Sequence, residues 1–420
     1  MVSAVILAIF PGLLPYECSF YGRIKRTMNL PRSFIASLFC LGLTCLSLAQ
    51  NPTMAVASKP NHQMTRADDS KLKEIEAIWE KHIMDDAGNR YCDKALGEEC
   101  GWLMSPFLQG FYYGYLATGD AKWVDAEVDW LDSWIKREVI EPDGYPGWPK
   151  AGAAGTDVDQ LNGYDADSLL GEAMVLRSAV LMSNEILKSP KLTEKYGAKA
   201  QGYLKLSELI CEKWEKRGAW RDTDGGGMIS VVLPFGIDPK TGKWTEDYET
   251  RSAPGQGFSH PENKANLTAC WLLAMFDATQ KPVYRDRAEK WFELMKSRMK
   301  LNENGTYQIW NYWQPAGPWD YKPDGSTKHW VGIHPNGGYY SIDLEAIVTA
   351  YQHGLVFDKD DIDHLIATAQ ADKRYWDALV PYDDTIQQKF EEGLKPDSWG
   401  GLSSTPRYLW QQEKLRNSGH

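Results

Sequence analysis

Two kinds of helical pattern take turns along this chain from residue 70 onward, and their alternation narrows the possible folds more than any other feature. One kind carries a single apolar stripe at spacings of three and four: Leu72, Ile75, Trp79 and Ile83; Val124, Val128, Leu131 and Ile135; Tyr203, Leu206, Ile210 and Trp214; Tyr284, Ala288, Trp291 and Met295; Ile362, Leu365 and Ala369. Such stripes mark surface helices. The other kind is apolar almost all round: Phe107 to Leu116, Leu169 to Met182, Leu267 to Phe276, Leu344 to Tyr351 and, less clearly, Tyr408 to Leu415. A helix without a polar face has to be buried. Strict outer-inner alternation is what a double ring of helical hairpins requires, because the inner ring is covered on both sides while the outer ring faces water. The expected fold class is all-α, an (α/α) toroid of about five to seven helical hairpins with a small β-hairpin insertion.

Two long interruptions break the alternation, 218–259 and 302–338. The first reads as a strand, Met228 to Leu233, with Asp238-Pro239-Lys240-Thr241-Gly242 as its turn. Loops of that length inside a domain are usually functional. Both precede an inner helix, so both are expected on one rim of the ring. Polar segments open three of the inner helices: Asn162-Gly163-Tyr164-Asp165-Ala166-Asp167, Gly257 to Asn266 around His260, and His334-Pro335-Asn336-Gly337-Gly338-Tyr339-Tyr340. Three polar mouths on one rim predict one shared cleft.

With 420 residues, 43% hydrophobic and 25% charged, the chain can bury a large core. A net charge of -11, without a basic stripe interleaved with aromatics, argues against a nucleic-acid partner. The 18 Trp and 21 Tyr suit a carbohydrate partner, since aromatic faces stack on sugar rings, although most must fill core.

The N-terminus reads as an upstream extension followed by a signal peptide starting at Met28. Met28 to Arg32 forms a positive n-region, Phe34 to Leu48 an apolar h-region, and Ser47-Leu48-Ala49 or Ala55-Val56-Ala57 a cleavage pattern. Residues 1–57 are therefore expected to be removed, leaving one catalytic domain over 65–416 in an exported, monomeric protein with no membrane partner. Cys92 and Cys100 flank a short loop and could pair in an oxidising compartment, whereas Cys211 and Cys270 fit buried thiols within helices. No cysteine spacing reads as zinc, and no cofactor or metal is called for.

A helical toroid with long aromatic rim loops, an export leader and His, Asn and Tyr at its mouth resembles the toroid polysaccharide lyases, and most closely polysaccharide lyase family 38, the alginate and glucuronan lyases. The resemblance spans roughly residues 70–415 and rests on the architecture and the segments around His260, Tyr312 and 334–340. It implies β-elimination on an acidic, uronate-bearing polysaccharide. The substrate carboxylate is neutralised by donors or cations, a base takes the C5 proton and a Tyr protonates the leaving oxygen. Matched residue by residue, His260 takes the place of the family His. Asn162 takes the place of the carboxylate-binding Asn, with Asn266 as rival, and Tyr312 competes with Tyr340 for the Tyr. The family Arg has no counterpart near either Tyr, so the resemblance leaves the positive charge to His334, Arg251 or Lys328, with Trp310 and Trp313 at the substrate.

Carboxylates offer another chemistry. Asp157, Asp159, Asp165, Asp167 and Glu172 gather around the start of one inner helix, and Asp222 and Asp224 precede Gly225-Gly226-Gly227. A glycoside hydrolase on the same scaffold uses two such acids. The plainer reading of these residues is a helix cap at Asp165 and a turn at Asp224-Gly225. A third possibility is a non-catalytic carbohydrate-binding protein in which Trp310, Trp313, Trp319 and Trp330 form the platform.

Overall fold

Eleven helices of ten residues or more follow one another along the described residues: α1 (Asp69–Ala87), α2 (Gly97–Thr118), α3 (Lys122–Ile135), α4 (Leu169–Lys188), α5 (Pro190–Lys216), α6 (Glu262–Thr279), α7 (Pro282–Arg298), α8 (Tyr339–Gln352), α9 (Lys359–Asp372), α10 (Asp384–Gly393) and α11 (Gly401–Ser418). The computed structural model describes residues 67–151, 164–245, 248–251, 253, 255–308, 311–333 and 338–418, all within one compact unit, Met54–His420. The expected leader lies outside the described residues. No helix among the described residues is long and apolar enough to cross a membrane.

The apolar patterns sort these helices as expected. Helices α2, α4, α6, α8 and α11 form the inner ring: α2 packs on α4, α4 on α6, α6 on α8, and α11 on α2. The gap between α8 and α11 is bridged by a short 3-10 helix, Asp377–Tyr382, which touches both. Helix α6 shows why an inner helix needs no polar face: every residue from Gly257 to Met275 is buried. Each fully buried Leu or Met there contributes about 1.5–3 kcal/mol, so the helix is held by the ring rather than by its own propensity. Helices α4 and α2 approach closely at their starts, where a Cβ on Gly171 would lie 2.2 Å from the Gly97 carbonyl oxygen.

Charges brace the ring from within. Glu345 on α8 accepts from Arg177 of α4 and Arg407 of α11, each at 2.7 Å, and Arg407 also pairs with Asp377 at 3.1 Å. Burial opposes ionisation of Glu345, but the two guanidinium groups outweigh it and draw its carboxyl down to about 2.

Short turns join α2 to α3, α4 to α5 and α6 to α7, whereas long segments lead into the inner helices. The long loops therefore gather at the N-terminal ends of the inner ring. The strands are all short and lie in these loops: β1 (Val139–Ile140), β2 (Pro146–Gly147), β3 (Lys150–Ala151), β4 (Asp165–Ala166), β5 (Trp220–Asp222), β6 (Met228–Val232), β7 (Phe258–Ser259), β8 (Lys300–Leu301) and β9 (Tyr307–Gln308).

Three local expectations need correction. Strand β6 pairs with β5 through the turn at Thr223–Gly227, and with β7 on its other edge, all antiparallel. The turn at Asp238–Gly242 instead closes the short bridge between Ile237 and Trp244, Ile237 also bridging Asp165, so the Asp-Gly glycines at 224–227 were the hairpin signal for β6. Asp165 lies in β4, and the cap of α4 is Ser168, whose hydroxyl accepts from the Gly171 amide at 3.2 Å. Cys92 and Cys100 are separate buried thiols, Cys100 donating to the Gly97 carbonyl at 2.9 Å from inside the first turn of α2.

Candidate active site

The mouth of the inner ring is built on the first turns of α2, α6 and α8. Glu98 and Trp102 stand one turn apart on α2, so they share a face. Glu98 accepts from Trp102 Nε1 at 2.9 Å and from Lys264 Nζ of α6 at 2.7 Å. Beneath them Leu170, Met174 and Leu267 form a small apolar cluster against which Trp102 and Ile342 pack, closing the bottom of the mouth. Asn263 sits one turn before Leu267 on α6. Its amide is buried, and neither its Nδ2 nor its Oδ1 has a hydrogen-bond partner among the described residues. An amide left so is costly in a dry interior and is accounted for where a ligand or water meets it.

Aromatic rings lead from the rim into this mouth. Tyr339, the first residue of α8, stacks on Tyr312 at 5.5 Å and 27°, and Tyr312 stacks on Trp330 at 5.7 Å and 16°. Trp330 is 45% exposed, so the ladder begins in solvent. Burial and then the charge of the Glu98 carboxylate raise the Tyr339 hydroxyl above its ordinary range.

Most residues singled out from sequence are placed elsewhere. His260 is buried between β6 and α6, with Nδ1 at 2.8 Å from the Ser230 hydroxyl and its amide donating to the Ser230 carbonyl. Burial, then Lys264, depresses its imidazole to about 3, so it is neutral and held as a strut. Tyr340 points away from Tyr339 into a small pocket with Tyr307, Leu365 and Trp376, where burial lifts its hydroxyl to about 12. Asn266 ties α8 to α7, donating to Asp343 and accepting from Trp291 Nε1, both at 2.7 Å.

Arg251 is fully buried, its guanidinium 4.3 Å from the ring centres of Phe235 and Trp244. Trp313 is likewise fully buried and donates to the Ser259 carbonyl at 2.8 Å. Lys328 donates to the carbonyls of Gly255 and Gly257 at 2.5 and 2.8 Å. Tyr312 does belong to the mouth. Asn162, His334 and Trp310, with Asp157 and Asp159, lie outside the described residues.

The other carboxylates divide sharply. Asp167 and Glu172 belong to a sealed cluster: Lys213 meets Asp167 and Glu172 at 2.5 Å each, and Arg217 meets Glu141, Asp143 and Asp167 at 2.7, 2.9 and 3.3 Å. Asp222 is a surface residue 3.4 Å from Lys290. Asp165 differs, being half-buried on the rim with no ion pair or side-chain hydrogen bond among the described residues. Its strand partner is Ala151, and the adjacent Lys150 pairs with Glu99, next to Glu98.

No protein-family model matches the sequence, and no curated protein matches it. Solved structures do. A family 76 glycoside hydrolase described as a mannosidase, from Bacteroides thetaiotaomicron, is 12% identical, with a TM-score of 0.49 over 83% of this chain and 100% of that one. The family 76 α-1,6-mannanase of a Salegentibacter species, solved with α-1,6-mannotriose, is 14% identical, with a TM-score of 0.45 over 81% and 98%. A family 88 glycosyl hydrolase from Bacteroides vulgatus is 11% identical, with a TM-score of 0.43 over 83% and 99%. These findings correct the expected kinship: the similar structures are glycoside hydrolases, and the polysaccharide lyase assignment, with its β-elimination chemistry, does not stand.

Glu98, Trp102 and Lys264 went unnoticed in the sequence. The spacing of Glu98 and Trp102 by four on the rim end of an inner helix was the available signal.

Proposed function

We propose that this protein is a glycoside hydrolase that binds a polysaccharide across the mouth of the ring and cleaves it with Glu98 and Asp165. The observation that supports this best is the aromatic ladder Trp330, Tyr312, Tyr339 at the rim, whose inner ring feels the charge of Glu98. The exposed Trp330 ring suits the apolar face of a sugar, and a carboxylate deeper along the same row of rings is a candidate to act on the glycosidic bond.

In hydrolysis one carboxyl protonates the leaving glycosidic oxygen as the bond from C1 breaks, and the other carboxylate assists attack on C1, water finally supplying the new hydroxyl. The Asn263 amide, buried without a partner among the described residues, would take a sugar hydroxyl as its hydrogen-bond partner. α-1,6-Mannan is the first polymer to try, because a protein of similar fold was solved with α-1,6-mannotriose.

The test incubates the protein with α-1,6-mannan, neutral glucans and polyuronates, following reducing ends and, separately, the ultraviolet absorbance of unsaturated uronates. New reducing ends without that absorbance are expected, and Glu98→Gln and Asp165→Asn should each slow their release about a hundredfold to ten-thousandfold. Unsaturated products, or full activity in both variants, would sink the reading. Tight glycan binding with no products would make the protein a binding module instead.

A further inference from the structure

The two long insertions line an open cavity of about 480 Å³. That volume falls in the range of small-ligand sites. Its walls come from both insertions: Phe258 and the Gly255–Gly257 backbone from one, Pro318, Tyr321, Lys322 and Lys328 from the other. Tyr321 is 43% exposed and offers its ring to this space.

The wall is built in advance. Lys328 and Arg221 hold the 255–257 backbone from two sides, Lys328 through the Gly255 and Gly257 carbonyls and Arg221 through the Gln256 carbonyl at 2.7 Å. Gly257 adopts a φ of 69°, and a Cβ there would fall 2.2 Å from the Val232 carbonyl oxygen, so the loop can run against β6 only with glycine. A preformed concave wall loses little entropy on binding.

Ring contacts connect the cavity wall to the ladder. Phe258 stacks on His329 at 6.2 Å, His329 lies 6.0 Å from the Tyr312 ring, and Tyr312 stacks on Tyr339 at 5.5 Å. The cavity and the ladder therefore share one packed wall, Phe258 and His329.

We propose that this cavity is a distal subsite that takes a sugar ring several units from the cleaved bond, stacked on Tyr321 with hydroxyls facing Lys322 and Lys328. The proposal rests on the hydrolase reading and adds to it a preference for long chains over short ones. The experiment compares kcat/KM for tri- and hexasaccharides of whichever polymer the wild-type protein depolymerises, in wild type, Tyr321→Ala and Lys322→Ala. The hexasaccharide-to-trisaccharide ratio should exceed one in wild type and fall about three- to tenfold in Tyr321→Ala, with a smaller fall in Lys322→Ala. An unchanged ratio in a folded Tyr321→Ala protein overturns the subsite while leaving the hydrolase reading intact.

If the wild-type protein turns over no glycan, the hydrolase reading fails by itself. The cavity is then read by calorimetric titration with α-1,6-mannohexaose and a glucuronan hexasaccharide. Binding of either that is lost in Tyr321→Ala supports a sugar site. No binding to wild type, or equal binding to both proteins, overturns it.

Discussion

Two acidic clusters stand at the starts of neighbouring inner helices, and they have opposite fates. At α4, Asp167 and Glu172 join Glu141 and Asp143 around Lys213 and Arg217 in a sealed knot, with Lys213 and Arg217 0% and 1% exposed. Burial lifts Glu141 to about 8, with Asp167 adding to the effect, and holds Glu172 well above the usual carboxylate range. Burial acts on Asp167 as well, yet Lys213 and Arg217 outweigh it and pull its carboxyl down. At α2, Glu98 meets one cation among the described residues, Lys264, and its charge reaches Tyr339 of the aromatic ladder. Both clusters are acids at helix starts. Enclosure makes one of them architecture, and an aromatic approach makes the other a candidate for chemistry.

The contrast can be broken most sharply by paired variants. Glu98→Gln should lower turnover of the folded protein about a hundredfold to ten-thousandfold, with some loss of stability because Lys264 is left without its carboxylate, whereas Asp167→Asn should lower stability and leave the turnover of the folded fraction near wild type. Turnover assays and thermal melts on the same preparations decide it, and the reverse pattern would exchange the two roles. Lys213→Met leaves buried carboxylates without their shared ammonium and should cost about 3–5 kcal/mol in denaturant unfolding. A loss below about 1 kcal/mol, the scale of an exposed ion pair, would show that water reaches the knot.

Glu262 sharpens the comparison through pH. It is buried at the start of α6, 3.3 Å from Arg298, and burial raises its carboxyl from the ordinary 4.5 to about 8, Arg298 opposing and Asp343 adding to the shift. Between those values the folded state keeps a proton that the unfolded chain has lost, so stability falls as pH rises through that window. Glu262→Gln, which still accepts from Arg298, should therefore gain stability relative to wild type on going from about pH 5 to about pH 8. A difference between the two proteins that is the same at both pH values would place Glu262 in a more solvated setting. The smallest effect is expected at the rim, where Trp330→Ala removes the exposed end of the ladder and should raise KM about threefold with kcat retained, as steady-state kinetics would show.

The ring was legible because burial leaves its mark on composition. A helix covered on both sides has nowhere to put a polar residue, so Leu169 to Met182 and Leu267 to Phe276 disclosed the inner ring without help from tertiary structure. Helix α10 and the 3-10 helix that closes the ring left no such trace. The ten residues of α10 carry only a short apolar stripe, and Pro381 interrupts the segment before it.

The site was less legible because its residues meet only across the ring. Lys264 reaches Glu98 over a separation of 166 residues, and Tyr312 reaches Tyr339 from a loop to a helix. His260, Asn266 and Arg251 looked exposed to a cleft because polar residues beside an apolar helix suggest a mouth. Ser230, Trp291 and Phe235, all distant in sequence, are what enclose them. Tyr339 and Tyr340 are adjacent on α8, and side chains one residue apart on a helix diverge by about 100°, so one faces the mouth and the other the outer layer. The sequence by itself determined which helices are inner and which end of the ring carries the loops, because both follow from local hydrophobic pattern and chain order. Only the tertiary structure decided which polar groups are sealed and which are open, because that depends on partners brought together through space.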